Sequence, residues 1–173
     1  MKRAKPEDRK ALSRRQFLTT SATAGSIAAA YLSFPQKTYA ANGDTLKVGL
    51  VGCGGRGTGA AAQALTADKN IVLTAMADAF EDRLKSSLGI LKKQTEDRVQ
   101  VDPEHCFVGF DAYQKLIQSG VDVVLLAAPP GFRPAHLKAC VEAGKHVFCE
   151  KPVAVDGPGV RSVLQTVEDA RKK

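Results

Sequence analysis

The sequence predicts an α/β protein built on a doubly wound parallel sheet. Two observations predict it. Short, continuous apolar runs alternate with stretches of helical periodicity from residue 45 to residue 173. This is the pattern of parallel strands, buried on both faces and joined by crossover helices. The first run also ends in a glycine cluster, Gly52-Cys53-Gly54-Gly55-Arg56-Gly57, as expected where a strand turns sharply into a helix. Right-handed crossovers then place helices on both faces of the sheet.

Residues 45–51 (TLKVGLV) form the first apolar run and the first expected strand. Residues 56–67 are rich in alanine and predict a helix. Residues 71–77 (IVLTAMA) are the second strand. Residues 81–93 alternate apolar and charged positions near the helical period, with Leu84, Leu88 and Leu91 on one face. Residues 94–104 are polar, contain Pro103 and predict a loop. Residues 106–110 are a weak third strand, and Asp111 is placed to cap a helix ending near Gly120. Residues 121–128 (VDVVLLAA) are the most apolar strand, stopped by Pro129-Pro130. Residues 134–143 predict a helix closed by Gly144, and residues 145–149 a fifth strand. Residues 159–172 predict a last helix with Val160, Val163, Leu164 and Val167 as its buried face.

The chain has 173 residues, 44% hydrophobic and 25% charged, which suits one globular domain. The net charge of +7 is local. Residues 1–40 hold eight basic and two acidic residues, leaving 17 basic and 16 acidic residues elsewhere. A body that is almost neutral, with no basic stripe, argues against nucleic-acid binding. The first forty residues read as an address. A polar, basic stretch precedes a mildly apolar run, residues 17–34, and then Thr38-Tyr39-Ala40, the order of a secretory signal cleaved after Ala40. A membrane-spanning helix is the alternative, disfavoured by the run's length and its Thr, Ser and Gly content. Within it, Ser13-Arg14-Arg15-Gln16-Phe17-Leu18 resembles the twin-arginine (Tat) consensus, with Thr19 where Lys is common. That resemblance implies Tat translocase as a transient partner and a periplasmic or secreted location. Residues 41–45 are then a linker, and residues 46–173 the folded domain. Cys53, Cys106, Cys140 and Cys149 show no C-x-x-C spacing, so no metal site is expected and they read as small hydrophobes.

The glycine cluster fits G-x-G-x-x-G between a predicted strand and a predicted helix, the context that makes the pattern a dinucleotide-binding fingerprint. Gly52 permits the tight turn, Gly54 admits a pyrophosphate close to the backbone, and Gly57 lets helix and strand approach. With Cys53, Gly55 and Arg56 they form the expected cofactor-binding loop, its phosphates at a helix N-terminus. Asp78 ends the second strand, 21 positions past Gly57, where a carboxylate accepts bonds from the adenosine ribose and repels a 2′-phosphate. This favours NAD over NADP. Arg83 either stacks on adenine or is a solvated helix charge, and in the first case softens the exclusion of NADP. Ala128 and Pro129 end the fourth strand beside the switch point, where small residues flank a ligand. Glu150-Lys151-Pro152 follows the fifth strand. On chemistry alone Lys151 reads as a solvated cation.

Taken together these motifs resemble the glucose–fructose oxidoreductase / inositol dehydrogenase / rhizopine-catabolism (Gfo/Idh/MocA) family from about Leu46 onward. The resemblance rests on VGLVGCGGRG, MADAF, AAPP and above all His136 followed by Ala143-Gly144-Lys145-His146-Val147 and Glu150-Lys151-Pro152. It implies a Rossmann domain and hydride transfer between NAD(P) and a sugar, cyclitol or related hydroxyl compound. It also makes Lys151 the expected catalytic residue and places Glu150 beside the cofactor. His136, inside a predicted helix, is expected to be structural. The family's second, α+β domain, which carries most substrate contacts and the homo-oligomer interface, is expected to be missing here, and the nucleotide domain to be incomplete at its C-terminal end. Two alternatives stay open: a non-catalytic dinucleotide-binding module, and a glycosidase with NAD as transient redox cofactor, against which the intact Glu150-Lys151-Pro152 argues.

Overall fold

The computed structural model describes residues 45–172. The expected signal segment, its paired arginines and most of the expected linker lie outside the described residues. Five strands, β1 (Leu46–Val51), β2 (Ile71–Asp78), β3 (Cys106–Val108), β4 (Val123–Leu126) and β5 (His146–Cys149), form one sheet in the order β3-β2-β1-β4-β5. Every pairing is parallel. The strand order reverses at β1, so the carboxyl ends of β1 and β4 diverge into a crevice.

The helices are α1 (Gly55–Ala67), α2 (Glu81–Thr95), α3 (Ala112–Gln118), α4 (Arg133–Glu142) and α5 (Gly157–Arg171). They bury the two faces of the sheet separately. On one face Val48, Leu50, Leu73 and Met76 pack with Ala61, Leu65, Leu84 and Leu91 of α1 and α2. On the other, Val51, Ala75, Ala77, Val124 and Leu126 pack with Leu116, Leu137 and Cys140 of α3 and α4. Leu73 and Ala75 differ by two positions and would share a face in a regular strand. The β1–β2 register skips Thr74 between Val48/Leu73 and Gly49/Ala75, and this bulge sends them to opposite cores.

Several sequence expectations are corrected. Residues 94–104 are not all loop: α2 runs to Thr95, and 3₁₀ turns occupy Glu96–Arg98 and Pro103–His105. Arg98 uses its guanidinium on the carbonyls of Leu65 and Asp68, satisfying the open C-terminal end of α1. Strand β3 stops at Val108 because Gly109 turns the chain at φ +120°. Asp111 does not cap α3. Its backbone is already helical (φ −93°, ψ −3°), so its carboxylate cannot reach back to the first amides, and it pairs with Lys115 at 3.0 Å instead. Helix α5 starts two residues early, capped by Asp156, whose Oδ1 accepts from the Gly159 N–H at 2.7 Å. Its expected buried face holds only at Val163. Val160, Leu164 and Val167 are exposed, because α5 packs chiefly on α4 among the described residues.

All four cysteines are free thiols. Burial pushes the thiols of Cys53 and Cys140 up, Cys140 to about 12, so these two behave as the small hydrophobes the sequence suggests.

Candidate functional site

The crevice is built from the glycine loop outward. Gly52 sits at φ +95°, a conformation costly for any side chain. A Cβ there would also lie 2.4 Å from the Ala128 nitrogen. At Gly57 a Cβ would lie 1.8 Å from the Gly52 carbonyl oxygen, so this glycine sets how closely α1 approaches β1. Gly54 differs from both: its Cβ would meet nothing nearer than Arg83 Nη1, at 3.7 Å. The open space over Gly54 faces the crevice. Gly54 is also the N-cap of α1 and offers no side-chain oxygen. The first amides of α1, those of Gly55 and Arg56 among them, therefore keep their donors uncapped by any side chain. Cys53 turns its thiol into the core toward the Ala77 carbonyl and spends its N–H on Asp78, so neither its side chain nor its amide is open to a ligand.

Asp78 lies at the mouth of this loop. Its Oδ2 accepts from the Cys53 N–H at 2.6 Å, and its Oδ1 accepts from the Phe80 N–H at 2.9 Å. The carboxylate is thus pinned by two amides while its remaining lone pairs face the crevice. Arg83 extends over the Phe80 ring at 6.0 Å, toward Gly54. A cleft of about 470 Å³ runs from these residues to the end of β4 and is lined by Gly52, Gly54, Asp78, Arg83, Ala128 and Pro129. It is long, mostly apolar and floored by a free helix N-terminus, which fits a dinucleotide.

The far wall is aromatic. Phe110 and Phe132 lie 6.1 Å apart, Phe132 and His136 6.1 Å, and His136 stacks on Tyr113 at 4.1 Å. Burial holds His136 down to about pKa 4, so the imidazole is neutral near neutral pH. This suits its expected structural role. Among the described residues its Nδ1 has no hydrogen-bond partner.

Beyond β5 the Glu150-Lys151-Pro152 turn contains a cis Lys151–Pro152 bond. Lys151 is exposed. Glu150 is buried, and its Oε1 accepts from Arg56 Nε at 2.7 Å and from Arg56 Nη2. The bond from Arg56 holds the Glu150 carboxyl below its ordinary value. Arg133, buried at the start of α4, donates to the carbonyls of Ala128, Glu150 and Pro152. Among the described residues no cluster of three or more His, Cys, Asp or Glu side chains converges on a metal position.

The structure therefore brings together the glycine loop, Asp78, Arg83, Ala128 and Pro129 in one cleft. It sets Arg56, Glu150 and Lys151 in a second group beside the loop. Sequence reasoning missed the aromatic wall, the Arg56–Glu150 pair and Arg133. One signal for Arg133 was legible: a cation in the first turn of a helix opposes the helix dipole, which points to a side chain employed elsewhere.

Comparison with known proteins agrees with this geometry. Residues 46–173 match the family model GFO_IDH_MocA, described as an oxidoreductase family with an NAD-binding Rossmann fold. The chain is 27% identical over 131 residues to inositol 2-dehydrogenase of Rhizobium meliloti (strain 1021), covering 75% of this chain and 34% of that protein. It is 28% identical over 130 residues to myo-inositol 2-dehydrogenase of Thermotoga maritima, covering 73% and 33%. The fold superposes on scyllo-inositol dehydrogenase from Lactobacillus casei, solved with NAD(H) and scyllo-inositol, with a TM-score of 0.60 and 25% identity over 75% of this chain and 34% of that one. The chain thus spans about a third of the length of the relatives it matches.

Proposed function

Because the chain belongs to the Gfo/Idh/MocA oxidoreductase family with its NAD-binding Rossmann fold, we propose that residues 46–173 bind NAD for a dehydrogenase acting on a cyclitol or related polyol. The observation that carries this is the junction of Asp78 with the glycine loop. One carboxylate is locked by the Cys53 amide at 2.6 Å and stands beside the uncapped N-terminus of α1. The loop amides would hold the pyrophosphate and Asp78 the adenosine ribose, while Arg83 covers the adenosine side and Ala128 and Pro129 flank the chain of the cofactor. When bound, NAD would supply the hydride acceptor for oxidation of the substrate carbon. Lys151, a cation, would orient the substrate hydroxyl by donating to its oxygen. The names of the relatives support the cyclitol class.

Titration of the purified chain with NADH tests the reading. Saturable binding that is tighter for NADH than for NADPH is expected, and no binding of either would overturn it. Assay of myo- and scyllo-inositol oxidation with NAD then tests the substrate class.

We also propose that residues 1–40 direct export through the Tat pathway and that residues 41–45 link this signal to the domain. Arg14-Arg15 ahead of Phe17-Leu18 supports this.

A further inference from the structure

Lys151 is the one residue of its turn whose two flanking carbonyls are gripped by the same side chain. Arg133 Nη1 donates to the Glu150 carbonyl at 2.7 Å and to the Pro152 carbonyl, and Arg133 Nε donates to the Ala128 carbonyl at 2.9 Å. Arg133 is 5% exposed. It therefore ties Ala128, two residues past β4 and just before Pro129, to the backbone on both sides of Lys151. From the opposite direction Arg56 holds the Glu150 side chain. The turn is held at two backbone carbonyls and one side chain, and the Lys151 side chain is exposed.

This arrangement is costly. A guanidinium loses its hydration on burial, and three neutral carbonyls repay that only in part. It also stands in the first turn of α4, where the helix dipole opposes a cation. Ending two strands needs no such group; the prolines and glycines already present do that. A planar fork with several donors is instead suited to holding separate carbonyls in fixed relation.

We propose that Arg133 is a positioning residue that sets Lys151 against the nicotinamide end of the bound dinucleotide. This rests on the NAD-binding reading above. It assigns Arg133 no contact with the cofactor: the guanidinium acts through the backbone of the Glu150-Lys151-Pro152 turn. Loss of the clamp leaves the turn free to sample positions in which the Lys151 ammonium no longer meets the ligand, and small displacements of this kind weaken a preorganised site.

The test compares two probes on the full chain: NADH, and ADP-ribose, which lacks the nicotinamide ring. In R133Q, NADH affinity is expected to fall about tenfold while ADP-ribose affinity changes by less than about twofold. R133K, which keeps the charge but not the fork, is expected to fall between wild type and R133Q. K151A, at an exposed position, is expected to reproduce the NADH-selective loss. Equal weakening of both probes in R133Q, or no weakening of either, overturns the proposal in favour of a purely structural clamp. Should R133Q fail to fold, K151A still decides: an unchanged NADH-to-ADP-ribose ratio means there is nothing on the turn to position. Wild type that binds neither probe overturns the NAD-binding reading instead.

Discussion

Arg56 in the first turn of α1 and Glu150 just past β5 are 94 positions apart, yet Arg56 Nε donates to Glu150 Oε1 at 2.7 Å. This bond fastens the first turn of α1, next to the glycine loop, to the turn that carries Lys151. Arg56 remains half-exposed while Glu150 is buried, so the pair runs from the surface into the protein beside the glycine loop.

The pair predicts an acid-sensitive contribution to stability. Arg56 lowers the folded carboxyl of Glu150 below its ordinary value of 4.5. A lowered folded pKa contributes stability that is complete above about pH 4.5 and lost as pH falls through the folded value. E150Q is expected to melt below wild type at pH 7, with the gap closing in more acid buffer. Thermal melts across that range check it; a gap of constant size would mean that charge plays no part.

His136 predicts a second window. Its folded pKa is about 4 against an ordinary 6.5. The unfolded chain takes up a proton that the folded site refuses, so this contribution is complete above about pH 6.5 and lost as pH falls toward 4. H136F keeps a ring against Tyr113 and has nothing to titrate. Its melting temperature is expected to vary less between pH 4 and pH 7 than that of wild type.

Gly54 and Gly57 separate binding from folding. A Cβ at Gly57 lies 1.8 Å from the Gly52 carbonyl, so G57A is expected to cost about 1–3 kcal/mol or more through overpacking. A Cβ at Gly54 meets only open space within 3.7 Å. G54A is expected to melt like wild type and to lose most NADH affinity, because the methyl fills the space through which the backbone reaches the phosphates. Calorimetry on both variants gives the two readouts, and G54A with intact affinity would place the pyrophosphate elsewhere.

D78N keeps an acceptor for the Cys53 amide but removes the charge. NADH affinity is expected to fall about tenfold, the scale of a charged hydrogen bond, while NADPH no longer meets a repelling carboxylate. The measured NADH-to-NADPH preference should narrow accordingly.

Replacing Arg14 and Arg15 by lysine is expected to retain the chain in the cytoplasm. Cell fractionation against wild type tests this; unchanged export would remove the twin-arginine assignment.

The strand–helix alternation, the glycine loop, Asp78 and the Glu150-Lys151-Pro152 turn were legible in the sequence because each depends on local pattern: hydrophobic period, a backbone angle only glycine tolerates, a fixed spacing after a strand. The same local reasoning failed at Asp111 and on α5. Capping depends on a backbone angle, and burial of Val160, Leu164 and Val167 depends on what lies opposite them. Arg133, the Arg56–Glu150 pair and the stacking of His136 on Tyr113 were decided by tertiary structure alone. These contacts join residues on different elements, and only the strand order β3-β2-β1-β4-β5 brings those elements to one edge. A sequence specifies which residues line each element, but a guanidinium finds its carbonyls, and a carboxylate its cation, only after the sheet has closed the distance between them.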